Sequence, residues 1–163
     1  MSYFYNFDKM EYVKGTRPDG CILCLVRDKS HLVVDLTVYT DELCTVSVNL
    51  YPYNPGHLML FPNRHIVDIR ELSDAEDRRV SALTRRFMDL LDRTHQPAAF
   101  NIGYNMGPSA GASIDHLHLH IIPRYPREIG IADLIAGKRV LVEDPRVTQR
   151  RITHALGRAH EPG

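Results

Sequence analysis

Three histidines at alternate positions, His116, His118 and His120, are the residues whose types and spacing most clearly indicate chemistry. Side chains at i, i+2 and i+4 of a strand point to one side. The segment 114–122, IDHLHLHII, therefore predicts a strand with three imidazoles on one face. A half-buried strand with a polar face would explain one such histidine. Three in alternation indicate a functional site.

Two kinds of chemistry fit this row of imidazoles. Neutral imidazoles at i and i+2 can share a zinc ion whose open fourth position activates water. Alternatively, one imidazole attacks phosphorus while its neighbours donate hydrogen bonds to phosphoryl oxygens. The histidines alone leave both possibilities open.

The segments around the histidines favour phosphate as the ligand. Small residues in GPSAGAS (107–113) let backbone N–H groups approach an anion, and Ser109 and Ser113 add hydroxyl donors. His57 and Arg124 offer further hydrogen-bonding or positive groups. The sequence has neither a Walker lysine motif nor a Rossmann glycine fingerprint, so any phosphate site must be of another kind.

Cys21 and Cys24 have the C-x-x-C spacing of a zinc knuckle. Alone this is a weak signal, because two cysteines near a strand are often packing residues or a redox pair. A tetrahedral zinc site needs two further ligands. The third cysteine, Cys44, lies in a predicted strand and is expected in the core.

Hydropathy patterns predict the elements that position these residues. Ser73 and Glu76 have the spacing of a capping box, which marks the start of a helix. Apolar residues from Val80 to Leu91 then fall on one helical face, so residues 74–94 are predicted to be a helix. Five strands are expected, at 32–39, 44–50, 57–61, 98–106 and 114–122. The order of strands, long helix and strands predicts an antiparallel α+β sheet.

The C-terminal part of the chain is less informative. A short helix is expected at residues 131–137, IADLIAG, and the polar tail after it has no clear pattern. The 163 residues are most simply one domain, with a core at about 20–126 and an extension at 127–163.

The charge balance, hydropathy and cysteine content argue against some partners and indicate a location. The chain has 20 basic and 20 acidic residues, and this balance argues against nucleic acid or an anionic membrane as a partner. No apolar run reaches the roughly 18–20 residues of a membrane span, and the N-terminus lacks a signal-peptide pattern. Three cysteines without a secretion signal favour a reducing compartment, so the cytoplasm is the expected location.

Three segments resemble the histidine triad (HIT) superfamily. HLHLHII (116–122) is similar to its His-φ-His-φ-His-φ-φ signature, where φ is apolar. NPGHLML (54–60) resembles its loop-and-strand motif, and NMGPSAGASIDH (105–116) its phosphate loop. The resemblance covers about residues 20–126. NLYPYNPGHLM and GPSAGAS are similar to the fragile histidine triad branch and to bacterial diadenosine tetraphosphate phosphorylases.

The resemblance implies a HIT-like α+β fold, with about five antiparallel strands and one long helix, that forms a homodimer. It also implies a nucleotide hydrolase or transferase that acts on dinucleoside polyphosphates. His118 would attack the α-phosphorus and form a nucleotidyl-histidine intermediate, while His120 and His57 would hold phosphoryl oxygens.

Nucleotide contacts follow from the same resemblance. Ser113 and Asn105 would contact phosphate near the leaving group, Asn49 would lie by the ribose, and apolar residues of the first two strands would enclose the base. The implied nucleotide- and phosphate-binding set is Asn49, Asn105, Ser109, Gly111, Ala112 and Ser113.

Ala112 departs from the pattern of many HIT members, which have a glutamine there that is placed to orient the attacking water. The phosphorylase branch has a small residue at this position. We therefore expect inorganic phosphate to be the second nucleophile. The alternatives are hydrolysis of dinucleoside polyphosphates or nucleoside phosphoramidates by water, and a non-catalytic nucleotide-binding dimer.

Zinc-bearing HIT members complete the C-x-x-C pair with two histidines, whose equivalents here are His65 and His116. The resemblance therefore implies a closed, structural Zn²⁺ site made by Cys21, Cys24, His65 and His116. The alternative is four unmetallated side chains, as in the animal fragile histidine triad proteins, which lack the cysteines. An open zinc site on the histidine row is a further alternative.

Overall fold

A five-stranded antiparallel sheet is the centre of the computed structural model, which describes residues 18–126 and 143–158. The strand order is β1-β2-β3-β5-β4. The strands are β1 (Thr37–Thr40), β2 (Cys44–Val48), β3 (Leu58–Pro62), β4 (Ala99–Tyr104) and β5 (Leu119–Arg124). The predicted α+β fold with about five antiparallel strands is confirmed.

Three α-helices and two short 3₁₀-helices complete the described residues. The α-helices are α1 (Ile22–Arg27), α2 (Asp74–His95) and α3 (Pro145–Arg158), and the 3₁₀-helices are Ile69–Glu71 and Pro108–Ala110. The long helix α2 was predicted, whereas α1 and α3 were not. The helix expected at 131–137 lies outside the described residues.

The start of α2 has the predicted capping box. The backbone N–H of Glu76 donates to Ser73 Oγ at 3.2 Å, and the backbone N–H of Ser73 donates to the Glu76 carboxylate at 2.8 Å. Two backbone donors that the first turn would leave unpaired are thereby satisfied. The helix ends at Gln96, which adopts a left-handed conformation with φ 50°.

The two faces of the sheet have different partners. In β3, Leu58 and Leu60 belong to the main core, together with buried residues of α2 and α3. The intervening Met59 and Phe61 pack in a second cluster with Leu23 and Val26 of α1. In β5, His120 is paired with Met59 and so shares its face. The histidine site therefore lies on the α1 side of the sheet.

Two strand predictions were too long at their N-terminal ends. Residues 32–36 precede β1 without being part of it, and His116 and His118 precede β5. Strand β5 pairs with β3 only from Leu119 onward. The segment before β5 lies instead beside the residues that follow β3, because the N–H of Leu117 donates to the carbonyl of Ile66. Of the triad, only His120 is a strand residue.

Within residues 18–126 and 143–158, no helix combines the length and the apolar content needed to cross a membrane.

Candidate active site

His118 has one ring nitrogen engaged and one unused. Its Nδ1 lies 2.7 Å from the carbonyl oxygen of His116. A carbonyl only accepts, so Nδ1 carries the proton and Nε2 keeps its lone pair. Burial lowers the pKa of His118 below its ordinary value, although the hydrogen bond to His116 acts in the opposite direction. His118 is therefore a neutral imidazole with a basic Nε2, as a nucleophile requires.

A chain of hydrogen bonds sets the protonation of His57 and His120. The backbone N–H of Tyr53 donates to Nδ1 of His57 at 3.1 Å, so the proton of neutral His57 is on Nε2. Nε2 lies 3.0 Å from Nδ1 of His120 and donates to it. His120 therefore keeps its own proton on Nε2, where it can donate to a ligand.

Burial keeps both rings of this chain neutral. Burial, followed by the neighbouring His120 and His118, lowers the pKa of His57 to about 3. Burial and then His118 lower the pKa of His120 to about 4. At neutral pH, the site therefore offers directed N–H donors to an anion rather than imidazolium charges.

A cavity of about 1000 Å³ lies beside these rings. Six of the nine residues predicted for catalysis or nucleotide binding line it, namely Asn49, Asn105, Gly111, Ser113, His118 and His120. Asn49 is held by the loop before β3, because its backbone N–H donates to the carbonyl of His57 and its Oδ1 accepts from Tyr51 N–H. The cavity therefore brings His118 together with side chains suited to a sugar and phosphates.

The other three of these nine residues do not line this cavity. His57 is completely buried, and both of its nitrogens have the partners given above. Ser109 is exposed on the 3₁₀-helix Pro108–Ala110. The N–H of Ala112 donates to the carbonyl of Gly107 at 3.2 Å.

The loop 107–113 differs from the expected anion-binding backbone. Ala110 and Ala112 donate their N–H groups to Gly107, and Gly111 donates to Pro108. These three amides close a turn in which Gly107 and Gly111 have positive φ values of 82° and 86°. Asn105 and Ser113, which have polar side chains, line the cavity together with Gly111.

Sequence reasoning missed the contribution of α3 to the cavity. Asp144, just before the helix, and Pro145 and Arg146, in its first turn, are part of the lining. The pair Asp-Pro is a helix-start signal, because aspartate caps a helix and proline fits its first position. That signal could have located α3, but no pattern in the sequence indicated which side of the sheet the helix would reach.

A second group of side chains adjoins the cavity, which Cys21 and His65 also line. The ligand atoms of Cys21, Cys24, His65 and His116 all lie within 4.8 Å of one another. Cys21 Sγ and Cys24 Sγ lie 3.3 and 3.6 Å from Nδ1 of His116, and Cys24 Sγ lies 3.5 Å from Nδ1 of His65. Tetrahedral zinc with ordinary Zn–S and Zn–N bonds requires sulfur–nitrogen separations of about 3.6 Å. The four residues therefore fit Zn²⁺.

His116 is oriented as a metal ligand should be. Its Nε2 lies 2.9 Å from the carbonyl of Pro62, to which it donates, and this leaves the Nδ1 lone pair facing the sulfurs. The cysteines belong to α1 rather than to a strand, with Cys21 at its N-cap and Cys24 inside it. Four protein ligands leave no open position, and His118 is not among them, so the geometry disfavours an open zinc site on the histidine row.

Comparison with protein families identifies the chain as a whole. The family model described as the HIT domain matches residues 32–127, which is more than half of the sequence. The chain belongs to the HIT family.

Two curated HIT relatives are enzymes by name. An AP-4-A phosphorylase of Mycobacterium tuberculosis is 37% identical over 116 residues, which cover 71% of this chain and 60% of the relative. An asymmetrical bis(5'-nucleosyl)-tetraphosphatase of Schizosaccharomyces pombe is 31% identical over 97 residues, which cover 60% of this chain and 53% of the relative. The chain thus matches between half and two thirds of their length.

Solved HIT structures have the same fold. A Zn-bound histidine triad family protein from Mycobacterium smegmatis aligns with a TM-score of 0.69 and 22% identity, covering 86% of this chain and 95% of that one. A HIT family protein from Bacillus anthracis aligns with a TM-score of 0.61 and 26% identity. The alignment covers 73% of this chain and 94% of that one.

Proposed function

We propose that this protein is an enzyme that cleaves dinucleoside polyphosphates such as diadenosine tetraphosphate through a nucleotidyl-histidine intermediate on His118. Inorganic phosphate is the second nucleophile, so the reaction is phosphorolysis. The observation that carries the proposal is the 2.7 Å contact of His118 Nδ1 with the carbonyl of His116, which leaves Nε2 as a lone pair beside the cavity. The names of the two curated relatives support the substrate class.

The first step transfers a nucleotidyl group to the enzyme. The lone pair of His118 Nε2 attacks the α-phosphorus, and the bond from that phosphorus to the bridging oxygen breaks. With diadenosine tetraphosphate, the leaving group is ATP, which takes the electron pair of the broken bond. The Nε2–H of His120 donates to a phosphoryl oxygen, where negative charge develops. We assign His57 the indirect role of holding His120, since it is completely buried.

The second step releases the nucleotide. An oxygen of inorganic phosphate attacks the same phosphorus, the P–N bond breaks, and its electron pair returns to Nε2. The product is ADP, whereas water would give AMP. Ala112 supports phosphate as the acceptor, because its methyl side chain cannot orient a water molecule. Ser113, next to it, lines the cavity and is assigned to phosphate binding with Asn105.

Incubation with diadenosine tetraphosphate, with and without inorganic phosphate, tests this proposal. We expect ADP and ATP when phosphate is present. The variant His118→Asn should lose turnover to the uncatalysed background and still bind AMP, while His31→Asn, at an exposed histidine, should keep full activity. Production of AMP and ATP only, at every phosphate concentration, would mean hydrolysis. Turnover by His118→Asn would exclude His118 as the nucleophile.

We also propose that Zn²⁺ occupies the group formed by Cys21, Cys24, His65 and His116. The metal is structural, because four protein ligands leave no position for substrate. Its ligands join α1 to His65, which follows β3, and to His116, which precedes β5. The ion therefore braces the backbone carbonyl of His116 that orients His118. Free thiols are stable in a reducing compartment, in line with the expected cytoplasmic location.

A homodimer is the proposed assembly. Strand β4 is an edge of the sheet, and Ile102 on it is 43% exposed. Met106, Val67 and Ile69 are also large, exposed apolar residues, and the N–H of Ile69 contacts the sulfur of Met106 at 3.4 Å. Exposed apolar side chains along an unpaired edge strand are suited to a protein interface.

A further inference from the structure

The start of helix α3 lines the cavity that His118 and His120 also line, although the helix lies beyond residues 32–127, which the HIT domain model matches. The lining includes Asp144, which precedes the helix, and Pro145 and Arg146 of its first turn. Within the described parts of the chain, Arg146 is the one arginine or lysine in that lining. Arg146 is therefore a distinctive group of the cavity that the proposed reaction has not used.

The position of Arg146 is set by the packing of α3. Ile152 is completely buried in the main core, and the amide of Gln149 lies 3.1 Å from the carbonyl oxygen of Thr37 and 3.4 Å from that of Asp35. Arg146 precedes Gln149 by three residues, so the two share a helix face. Arg146 therefore lies on the helix face that packs beside residues 32–36, the segment before β1.

The same segment supplies an apolar wall. Leu32 and Val34 line the cavity and are 56% and 42% exposed. Large aliphatic side chains left exposed beside a cavity are suited to the flat, apolar face of a nucleobase. This end of the cavity therefore has the character of a base site, while His118 and His120 lie at the phosphate site.

The guanidinium of Arg146 is available to a ligand. Within residues 18–126 and 143–158, its side chain makes no ion pair or hydrogen bond, and only its backbone N–H is used, donating to Asp144 Oδ1 at 2.7 Å. A guanidinium is planar and stacks on aromatic rings, through both its flat surface and its charge. The residue types at this end of the cavity thus suit the two faces of a base.

We propose that Arg146 is a nucleobase-binding residue, whose guanidinium packs on one face of the base while Leu32 and Val34 cover the other. This inference rests on the proposed function, because it takes a nucleotide as the ligand, and it adds a base contact from the C-terminal helix. The contact is remote from the reacting phosphorus and acts equally before and during the reaction. It therefore lowers KM and leaves kcat unchanged.

Binding of AMP and of ribose 5-phosphate to the full-length protein, measured by calorimetry, separates a base contact from a phosphate contact. We expect Arg146→Ala to weaken AMP binding about tenfold, in line with the loss of one stacking contact. Ribose 5-phosphate, which lacks the base, should bind Arg146→Ala and the wild type equally. Arg146→Lys should resemble Arg146→Ala, because an ammonium group does not stack as a planar guanidinium does.

Arg150→Ala is the matched control, since Arg150 is exposed on the same helix and does not line the cavity. It should bind AMP as the wild type does. With diadenosine tetraphosphate, Arg146→Ala should raise KM about tenfold and change kcat less than about twofold. This KM effect would distinguish a lost substrate contact from a general loss of folding.

Four results would overturn the assignment. Equal weakening of AMP and ribose 5-phosphate, or full recovery in Arg146→Lys, would place the guanidinium on phosphate. AMP binding unchanged in Arg146→Ala would remove Arg146 from the site while leaving the proposed function intact. A wild-type protein that neither binds AMP nor cleaves diadenosine tetraphosphate would refute the proposed function and the base contact together.

Discussion

Hydrogen bonds assign a proton to each imidazole of the site before a substrate arrives. His118 donates through Nδ1 to a carbonyl, and His57 accepts at Nδ1 and donates through Nε2. His120, which accepts from His57, is left with an outward N–H. One ring thus presents a lone pair and another a donor. These opposite roles follow from backbone and neighbouring side-chain contacts, because all three side chains are chemically identical.

The contact between His57 and His120 gives a prediction about a completely buried residue. His57→Leu removes the donor that fixes the proton of His120 on Nε2, so we expect kcat to fall about 10–100-fold, as for other residues that orient a functional side chain. KM should change much less. Steady-state kinetics with diadenosine tetraphosphate, together with a thermal melt to confirm folding, measures the effect.

His57→Gln is the conservative comparison. A glutamine amide can accept from the N–H of Tyr53 and donate to His120, so this variant should recover most of the lost kcat. If His57→Leu kept full kcat, or if Gln and Leu behaved alike in folded protein, His57 would not orient His120.

Helix α1 carries two of the four proposed zinc ligands, Cys21 and Cys24. It has six residues, too few to be stable alone. Among the described residues, its buried side chains Leu23 and Val26 belong to a small apolar cluster with Met59 and Phe61. Zinc bound to Cys21 and Cys24 would add a strong link between this helix and the two histidines.

Metal analysis of protein purified without chelator or a nickel column tests the zinc proposal. We expect about one equivalent of zinc in the wild type, and less than about a tenth in Cys21→Ser/Cys24→Ser, with a lower Tm, because bound metal contributes directly to folding. Cys44→Ala removes a cysteine that is buried in the main core, and it should keep the zinc. A wild type with less than about a tenth of an equivalent would contradict the proposal.

The start of α2 depends on a buried carboxylate. Glu76 is 4% exposed, accepts the N–H of Ser73, and pairs with Arg64 at 2.9 Å. The hydrogen bond from Arg64 is the main reason that the pKa of Glu76 falls from 4.5 to about 2. A lowered carboxyl pKa stabilises the fold above the unfolded value of 4.5, and this contribution is lost as the pH falls toward 2.

We therefore expect Glu76→Gln to lower the free energy of unfolding by about 2 kcal/mol at pH 7, through the weakened cap and lost ion pair. The difference from the wild type should shrink between pH 4.5 and 2, as Glu76 itself becomes protonated. Urea denaturation across this range measures it. Asp77→Asn, an exposed change in the same turn, should be nearly neutral. A difference that stayed constant with pH would contradict the assigned pKa.

Local signals in the sequence predicted α2 and most of the sheet, because a capping box and alternating hydropathy are properties of short segments. They did not predict that His116 and His118 lie before β5, since this depends on where β3 ends and on the contact of Leu117 with Ile66. The sequence also did not predict where α3 packs. Ile152 is buried against the sheet, and that contact exists only in the folded protein. Long-range packing, not local propensity, decided these features.

The two edge strands of the sheet, β1 and β4, differ in how far the rest of the chain covers them. Strand β1 is covered in part by α3, through Gln149 and the carbonyl of Thr37. Strand β4 exposes most of its residues, and among the described residues no strand pairs with its outer edge, which is the edge we propose for contact with a second copy. In a two-fold symmetric contact between two β4 edges, the Ile102 side chains of both copies would be buried and the two sheets would be joined.

Substitution of Ile102 by arginine tests this interface. Light scattering coupled to size exclusion should give twice the chain mass for the wild type and one chain mass for Ile102→Arg, because the variant places two like charges near each other at the two-fold axis. Glu42→Arg adds an arginine in the turn between β1 and β2, far along the sheet order from β4, and should leave the dimer intact. Circular dichroism would establish that the variants are folded. A monomeric wild type would refute the dimer, and a dimeric, folded Ile102→Arg would place the interface away from the β4 edge.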